Sequence, residues 1–563
     1  MNSLTSSDYL VFLFYFLVVA LYGLWIYRKK RTAEASSKDY FLAEGSLTWW
    51  AIGASLIASN ISAEQFIGMS GNGFKIGLAI SAYEWMAAAT LMIVAIFFIP
   101  VYLKNKIYTM PQFLSQRYNN TVATVMAVFW LLLYVVVNLT SILYLGALAV
   151  SSISGISLTA CMYGLAIFSI FITLGGMKVI GYTDVIQVFF LILGGLVTTY
   201  LALDLVAQHF GQKGAMAGLK LMSEHANDHF HMILKRDNTN YPSLPGLTVL
   251  LGGLWIVNLN YWGCNQYIVQ RALGADLKTA RGGILFSAFL KMLMPVIVVL
   301  PGIAAYVLHQ QNHGDFANAM LQNGELNPDR AYPVLLDLLP SGLKGLAFAA
   351  LTAAVVASLA GKANSISTIF TLDIYHKRIN PGASEKKLVS TGRLVVVIAM
   401  ILGVVIAPFL GIDKKGGFEF IQEYTGFVSP GIFAMFILGF FWKKATSSAA
   451  LFATIGGFLM SVVFKVLPKF MDLAFLSSTG FSTPVVQGDG TTLYEIPFLD
   501  RMGFVFIICT VGMIAISLFQ NKRGIKPQGV MEVDTKMFRM NPGFAVGALI
   551  ICGLLVALYT RFW

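Results

Sequence analysis

Ser59-Asn60-Ile61-Ser62-Ala63-Glu64-Gln65 stands in the middle of an otherwise apolar segment of membrane-spanning length, bounded by Trp49-Trp50 on one side and Phe74 on the other. Backbone groups that leave a helix inside hydrocarbon cost several kcal/mol each unless protein or a cavity satisfies them. A polar break at that depth therefore persists mainly where a solute or ion is bound. The pattern returns later in the chain as Val257-Asn258-Leu259-Asn260-Tyr261-Trp262-Gly263-Cys264-Asn265-Gln266. Two interrupted helices at matching places in two halves of a chain point to a secondary transporter with its site near the bilayer midplane.

Composition agrees. The chain has 563 residues, of which 57% are hydrophobic and 12% charged, which excludes an ordinary soluble domain and leaves a polytopic membrane protein. The formal net charge of +12 is no sign of nucleic acid, because most of the 39 Lys and Arg fall in alternate short loops, as the positive-inside rule requires. The first apolar stretch, Tyr9 to Tyr27, is full length and ends in Arg28-Lys29-Lys30-Arg31, so it reads as a retained span rather than a cleavable signal. That cluster puts the next loop in the cytoplasm and both termini outside, with Lys414 and Lys415 as an exception on the outer side. Cys161, Cys264, Cys509 and Cys552 lie inside apolar spans without paired spacing, which indicates neither disulfides nor a metal framework.

Apolar runs of membrane length predict an all-α integral membrane protein of about 14 transmembrane helices. Residues 1–563 read as one transmembrane domain. Residues 47–208 and 246–442 begin alike with an interrupted helix and start in opposite orientation, a five-plus-five inverted repeat of the leucine-transporter type over 47–442. Residues 1–46 and 443–563 are then accessory. Longer outer loops, about 209–245, 311–342 and 468–499, contain Gly, Pro, Asn and Asp and are candidate lids.

Charged side chains inside the spans are few: Glu64, Glu84, Asp184, Lys291 and Lys362, with Asp204, Glu419 and Glu423 nearer span ends. Together with Gln65, Asn258 and Gln422 and neighbouring aromatics they supply amides, a carboxylate and an ammonium. That mixture suits a neutral polyhydroxylated ligand, whose hydroxyls donate and accept and whose ring face stacks on an aromatic. The bland alternative is that these groups merely bond helix to helix. Intramembrane ionisable groups favour the functional reading.

Ala54-Ser55-Leu56-Ile57-Ala58-Ser59-Asn60-Ile61-Ser62-Ala63-Glu64-Gln65-Phe66-Ile67-Gly68, Thr183-Asp184-Val185-Ile186-Gln187 and Gln422-Glu423-Tyr424-Thr425-Gly426 closely resemble the solute:sodium symporter family. The resemblance covers nearly the whole chain in order. It implies a sugar site in which Gln65, Glu84, Asn258, Lys291 and Gln422 hold hydroxyls, while Tyr261 stacks on the pyranose and closes the inner side. It further implies that Asn60 holds that tyrosine, and that Met69, Tyr83 and Phe418 form an outer hydrophobic gate. A sugar-site serine of the family falls on Ala87, so one hydroxyl contact is missing.

The family's sodium ligands are carbonyls at positions matching Ala58, Ile61 and Ala354 and two adjacent serine hydroxyls, which here read Ala357-Ser358. One hydroxyl is therefore absent, and Lys362 stands four residues on. Ala354, Ala357, Ser358, Gly361 and Lys362 share a helix face, with the lysine stem leaning back toward Ser358 and Gly361 leaving room. This makes the sodium site doubtful and suggests Lys362 as a tethered ammonium, with protonation as the coupling event and Asp184 as its partner.

Glu224, His225, Asp228, His229 and His231 have a spacing that a metal would fit on a helical segment, though without a defined scaffold such a run reads as a solvated loop face. No nucleophile, base and orienting residue form a recognisable set, and no Gly-x4-Gly-Lys-Ser/Thr loop occurs, so neither an enzyme nor an ATP-driven pump is indicated. The expected protein is a multi-pass carrier of a bacterial-type inner membrane. It imports a hexose-type sugar without a cofactor, with sodium or a proton as coupling ion. A facilitative carrier and a sugar-responsive sensor or channel are the rivals.

Overall fold

The computed structural model describes residues 4–29, 47–322, 324–337, 339–409, 417–486 and 490–563. Most of the basic cluster that begins at Arg28, from Lys30 onward, and the loop with Lys414 and Lys415 lie outside the described residues.

In chain order the helices that matter here are α1 (Ser6–Lys29), α2 (Trp49–Asn60), α3 (Ser70–Lys75), α4 (Ala82–Ile93), α5 (Asn120–Leu132), α6 (Thr140–Ser154), α7 (Leu158–Thr173) and α8 (Gly176–His209). They continue as α9 (Gly253–Cys264), α10 (Gln266–Leu273), α11 (Leu277–Gln310), α12 (Leu343–Thr368), α13 (Glu385–Ile406), α14 (Gly417–Gly426), α15 (Ser429–Phe441), α16 (Phe498–Lys522) and α17 (Pro542–Arg561). Among the described residues 10 helices are long and apolar enough to cross a membrane. These candidate spans are helical. The loops add two short antiparallel hairpins, Leu321–Gln322 with Glu325–Leu326 and Thr483–Val486 with Thr492–Glu495.

Both expected interruptions are present, and each is stabilised by side chains. α2 stops at Asn60, Ile61 is extended, and the chain resumes as a π-helical turn, Glu64–Met69, that runs into α3. Ser62 and Gln65 have the spacing of a capping box: Gln65 Oε1 accepts from the Ser62 backbone N–H at 2.9 Å, and Ser62 Oγ accepts from Glu64 N at 3.2 Å. The second break lies at Asn265, which is extended between α9 and α10. Its partner is remote: Tyr134 OH donates to Asn265 Oδ1 at 3.0 Å and accepts from Gln266 N at 3.2 Å. Freed backbone groups in both rods are thus partly satisfied within the protein.

α12 is the innermost long helix, with Ala347 to Thr368 buried throughout. Its many small residues let neighbours approach closely. A Cβ on Gly146 of α6 would lie 2.4 Å from Val355 Cγ1, and one on Gly194 of α8 would lie 2.8 Å from Ala350 Cβ. Outermost helices show the reverse pattern. α1 exposes Leu10, Leu13, Phe14, Leu17 and Leu21, and α17 exposes Val546, Leu549 and Val556. An apolar exterior around a core carrying polar and charged groups suits lipid as the solvent.

Gly146→Leu should strain the α6–α12 crossing by about 1–3 kcal/mol. A clear drop in apparent unfolding temperature in detergent is expected, whereas Gly164→Leu on α7, where a Cβ meets nothing within 4 Å, should leave it unchanged.

Candidate functional site

The end of α2 is the hub of a chain of hydrogen bonds. Asn60 Nδ2 donates to Tyr261 OH of α9 at 2.9 Å, and Asn60 Oδ1 accepts from Lys291 Nζ of α11. Lys291 Nζ lies 2.5 Å from Glu84 Oε2 of α4 and 5.2 Å from the centroid of the Trp262 ring. Four helices therefore meet through one ion pair and one amide. Glu84 is 3% exposed and Lys291 1%, so water does little screening and each charge depends on the other.

Of the six residues expected to hold a ligand, Glu84, Tyr261 and Lys291 are joined in this network through Asn60. Gln65 sits at the same break, but its Oε1 caps Ser62. Asn258 donates to Leu254 O at 3.1 Å, within its own helix. Gln422 is half-buried on α14. Of the three residues expected at an outer gate, two meet. Tyr83 and Phe418 pack edge to face with centroids 5.0 Å apart, Met69 is fully buried, and a Cβ on Gly68 would lie 2.8 Å from Phe418 Cβ.

A second polar cluster lies on the other side of the break. Ser358 Oγ of α12 donates to Ser59 O at 3.1 Å, between Ala58 and Ile61, and Ala58, Ile61 and Ala354 are all buried. Lys362 does face the break, but its partner is not Asp184. Lys362 Nζ lies 3.7 Å from Glu64 Oε1 and 4.9 Å from the Tyr267 ring centroid. Asp184 Oδ2 instead accepts from Ser55 Oγ at 2.5 Å, and Ser55 Oγ accepts from Arg271 Nε at 2.9 Å. The physical reason is the guanidinium. A Cβ on Gly361 would lie 2.5 Å from Arg271 Nη2 and 3.1 Å from Ser59 Oγ, so the space expected for the lysine stem admits Arg271.

Arg271 is the functional candidate that the sequence reading misses. A basic residue soon after an apolar span reads as a loop charge, yet Arg271 is 1% exposed on a helix buried along its whole length. Its signal was the polar run Gln266, Gln270 and Arg271 immediately after the second break. Ser59 Oγ, Asp184 Oδ1 and Arg271 Nη2 are buried with no hydrogen-bond partner among the described residues, which leaves polar capacity around this part of the break.

The histidine-rich loop does not assemble. His225 stacks on Phe210 at 4.1 Å, His229 Nε2 lies 3.0 Å from Phe74 O, and His231 Nδ1 lies 3.0 Å from Trp563 O. Among the described residues no group of three or more His, Cys, Asp or Glu could hold a metal ion.

Residues 40–457 match the model described as "Sodium:solute symporter family". The chain is 46% identical to a "Sodium/glucose cotransporter" from Vibrio parahaemolyticus, with 100% of this chain and 99% of that protein covered. It is 34% identical to a "Sodium/myo-inositol cotransporter 2" from Homo sapiens, over 83% of this chain and 70% of that one. Among solved structures, a Na+-coupled sialic acid symporter in an outward-open state shares the fold, with a TM-score of 0.73 at 21% identity over 92% of this chain and 98% of that one.

Lys291→Met leaves Glu84 buried without its partner and should cost about 3–5 kcal/mol of stability. Thermal unfolding in detergent should show the loss, with much of it recovered in the double variant Lys291→Met, Glu84→Gln. Equal losses in single and double variants would contradict the pairing argument.

Proposed function

The chain belongs to the sodium:solute symporter family, and from that premise we propose that it is a secondary active symporter importing a hexose-type sugar by alternating access across a bacterial-type inner membrane. Relatives whose names specify sodium with glucose or myo-inositol support both the polyol class and the cation. The observation that carries the reading is the Glu84–Lys291–Asn60–Tyr261 network, which joins both broken helices at one place.

In this reading about 14 spans form the membrane domain, with an inverted-repeat core over 47–442, accessory segments 1–46 and 443–563, and both termini outside. Sugar hydroxyls are held by Gln65, Glu84, Asn258, Lys291 and Gln422, with Tyr261 on the ring face. A polyol would exchange for bonds that these groups now make to one another. Met69, Tyr83 and Phe418 gate the outer side. The Asn60–Tyr261 bond closes the inner side.

Coupling belongs to Ala58, Ile61, Ala354, Ser358, Lys362 and Asp184, where a cation favours contact between the first break and α12. Sodium is the ion that the relatives' names support. Lys362 favours a second reading, in which its ammonium takes the ion's place and a proton is the coupling species. The motivating facts are Ala357 in place of a hydroxyl and a buried ammonium 3.7 Å from Glu64. Family membership makes the protein a transporter and not an enzyme.

Uptake of labelled glucose and galactose into proteoliposomes, with sodium and pH gradients imposed separately, tests the reading. Accumulation above the outside concentration is expected for at least one sugar, and its loss in Asn60→Ala. If Lys362 is the coupling cation, a pH gradient drives uptake without sodium, and Lys362→Met with Ala357→Ser introduces sodium dependence. Uptake that needs sodium and ignores pH would return Lys362 to a structural role.

A further inference from the structure

A cavity of about 220 Å³ opens where the first turn of α5 meets the π-helical continuation of α12, Ile369–Ile379. It is headgroup-sized rather than drug-sized. Its walls include Ser115, Asn120, Thr124, Asp373, Lys377 and Arg378. Neither the sugar network nor the coupling cluster uses any of these residues.

The chemistry of the walls is that of a zwitterion. Arg378 Nη2 donates to Thr124 Oγ1 at 2.9 Å and to Asn120 O at 3.2 Å, and no carboxylate partners it among the described residues. Its remaining N–H groups, the hydrogens of Lys377 not directed at Asp373, and the first N–H groups of α5 are donors suited to a phosphate oxygen. α5 is 13 residues long, and Asn119 Oδ1 caps only Val122 N. The second pole is Asp373, which is 5% exposed. Its Oδ1 accepts from Lys377 Nζ at 2.7 Å and from Thr109 Oγ1 at 3.4 Å, while Oδ2 has no hydrogen-bond partner among the described residues. A purely anionic ligand would leave that oxygen unused and face its charge. A ligand carrying a primary ammonium beside a phosphodiester would use both poles.

Lipid is the source that the surroundings favour. Thr124, Val128 and Leu132 follow one another at i+4 along α5, so the stripe leaving the cavity is apolar. Val128 is 44% exposed and Leu132 59%. Ile379, beside the two cationic residues, is also exposed. Acyl chains would lie along this stripe while the polar head enters between α5 and the end of α12. Basic pockets between membrane helices are a recurrent way of holding lipid headgroups.

We propose that this cavity is a binding site for a zwitterionic phospholipid with a primary ammonium headgroup, its phosphate held by Arg378, Lys377 and the start of α5, and its ammonium by Asp373. The test uses the full-length protein in nanodiscs containing phosphatidylethanolamine, phosphatidylcholine and phosphatidylglycerol of the same acyl chains, with co-purifying lipid counted by mass spectrometry. Phosphatidylethanolamine should be retained about tenfold over phosphatidylcholine, the factor that one charge-assisted hydrogen bond confers. Arg378→Gln, a change at an exposed residue, should abolish retention of every phospholipid, and Asp373→Asn should remove only the ethanolamine preference. If Asp373→Asn does not fold, Arg378→Gln and the ratio in the unmodified protein still decide. Three results would overturn the proposal: phosphatidylglycerol retained above phosphatidylethanolamine, retention unchanged in Arg378→Gln, or displacement of the lipid by soluble glycerophosphoethanolamine at equal concentration.

Discussion

Charge buried at bilayer depth must be matched, and around the first break it is matched three times. Glu84 pairs with Lys291, Glu64 with Lys362, and Asp184 meets Arg271 through Ser55. Each match crosses from one element to another, and α2 or the break that follows it takes part in all three, through Asn60, Glu64 and Ser55. In a low dielectric such pairs contribute little net stability, because desolvation offsets attraction, but losing one partner is severe. The arrangement therefore says less about how strongly the fold is held than about which helices must stay in register while it works.

The break itself could be read from the chain because its satisfaction is local. Ser62 and Gln65 have the spacing of a capping box, with Gln65 accepting from Ser62 N and Ser62 Oγ from Glu64 N, and no tertiary information is needed to expect a helix to restart there. The second break was less legible. Asn258 opens the polar stretch with an amide, yet its side chain bonds one turn back within α9, and the chain leaves the helix at Asn265. What holds that opening is Tyr134, well over a hundred residues earlier, and hydrophobic periodicity carries no sign of such a partner.

The same limit explains the mistaken partner of Lys362. Helical-face arithmetic correctly turned Ser358, Gly361 and Lys362 toward the break, since α12 is regular there. It could not say which acid would face them. Glu64 opens a π-helical turn, whose wider winding shifts the angular position of each residue from that of an α-helix. Arg271 was hidden for another reason: a basic residue soon after an apolar span looks like a topology signal until a buried glycine, Gly361, is found making room for it.

These contacts also constrain how the molecule can change shape. Parting the first break from α12 breaks both the Ser358–Ser59 hydrogen bond, made by the end of α2, and the Lys362–Glu64 ion pair, made by the π-helical turn beyond the break. Done with both groups ionised, that leaves an ammonium and a carboxylate buried apart, a state that costs several kcal/mol. Moving one proton from the lysine to the carboxylate makes both neutral, and admitting a cation beside Glu64 compensates the acid once the lysine withdraws. Either route lowers the cost of opening this interface and not of opening the one at Lys291 and Glu84. A species that changes charge at Glu64 thus interacts differently with the closed and the open arrangement of this interface.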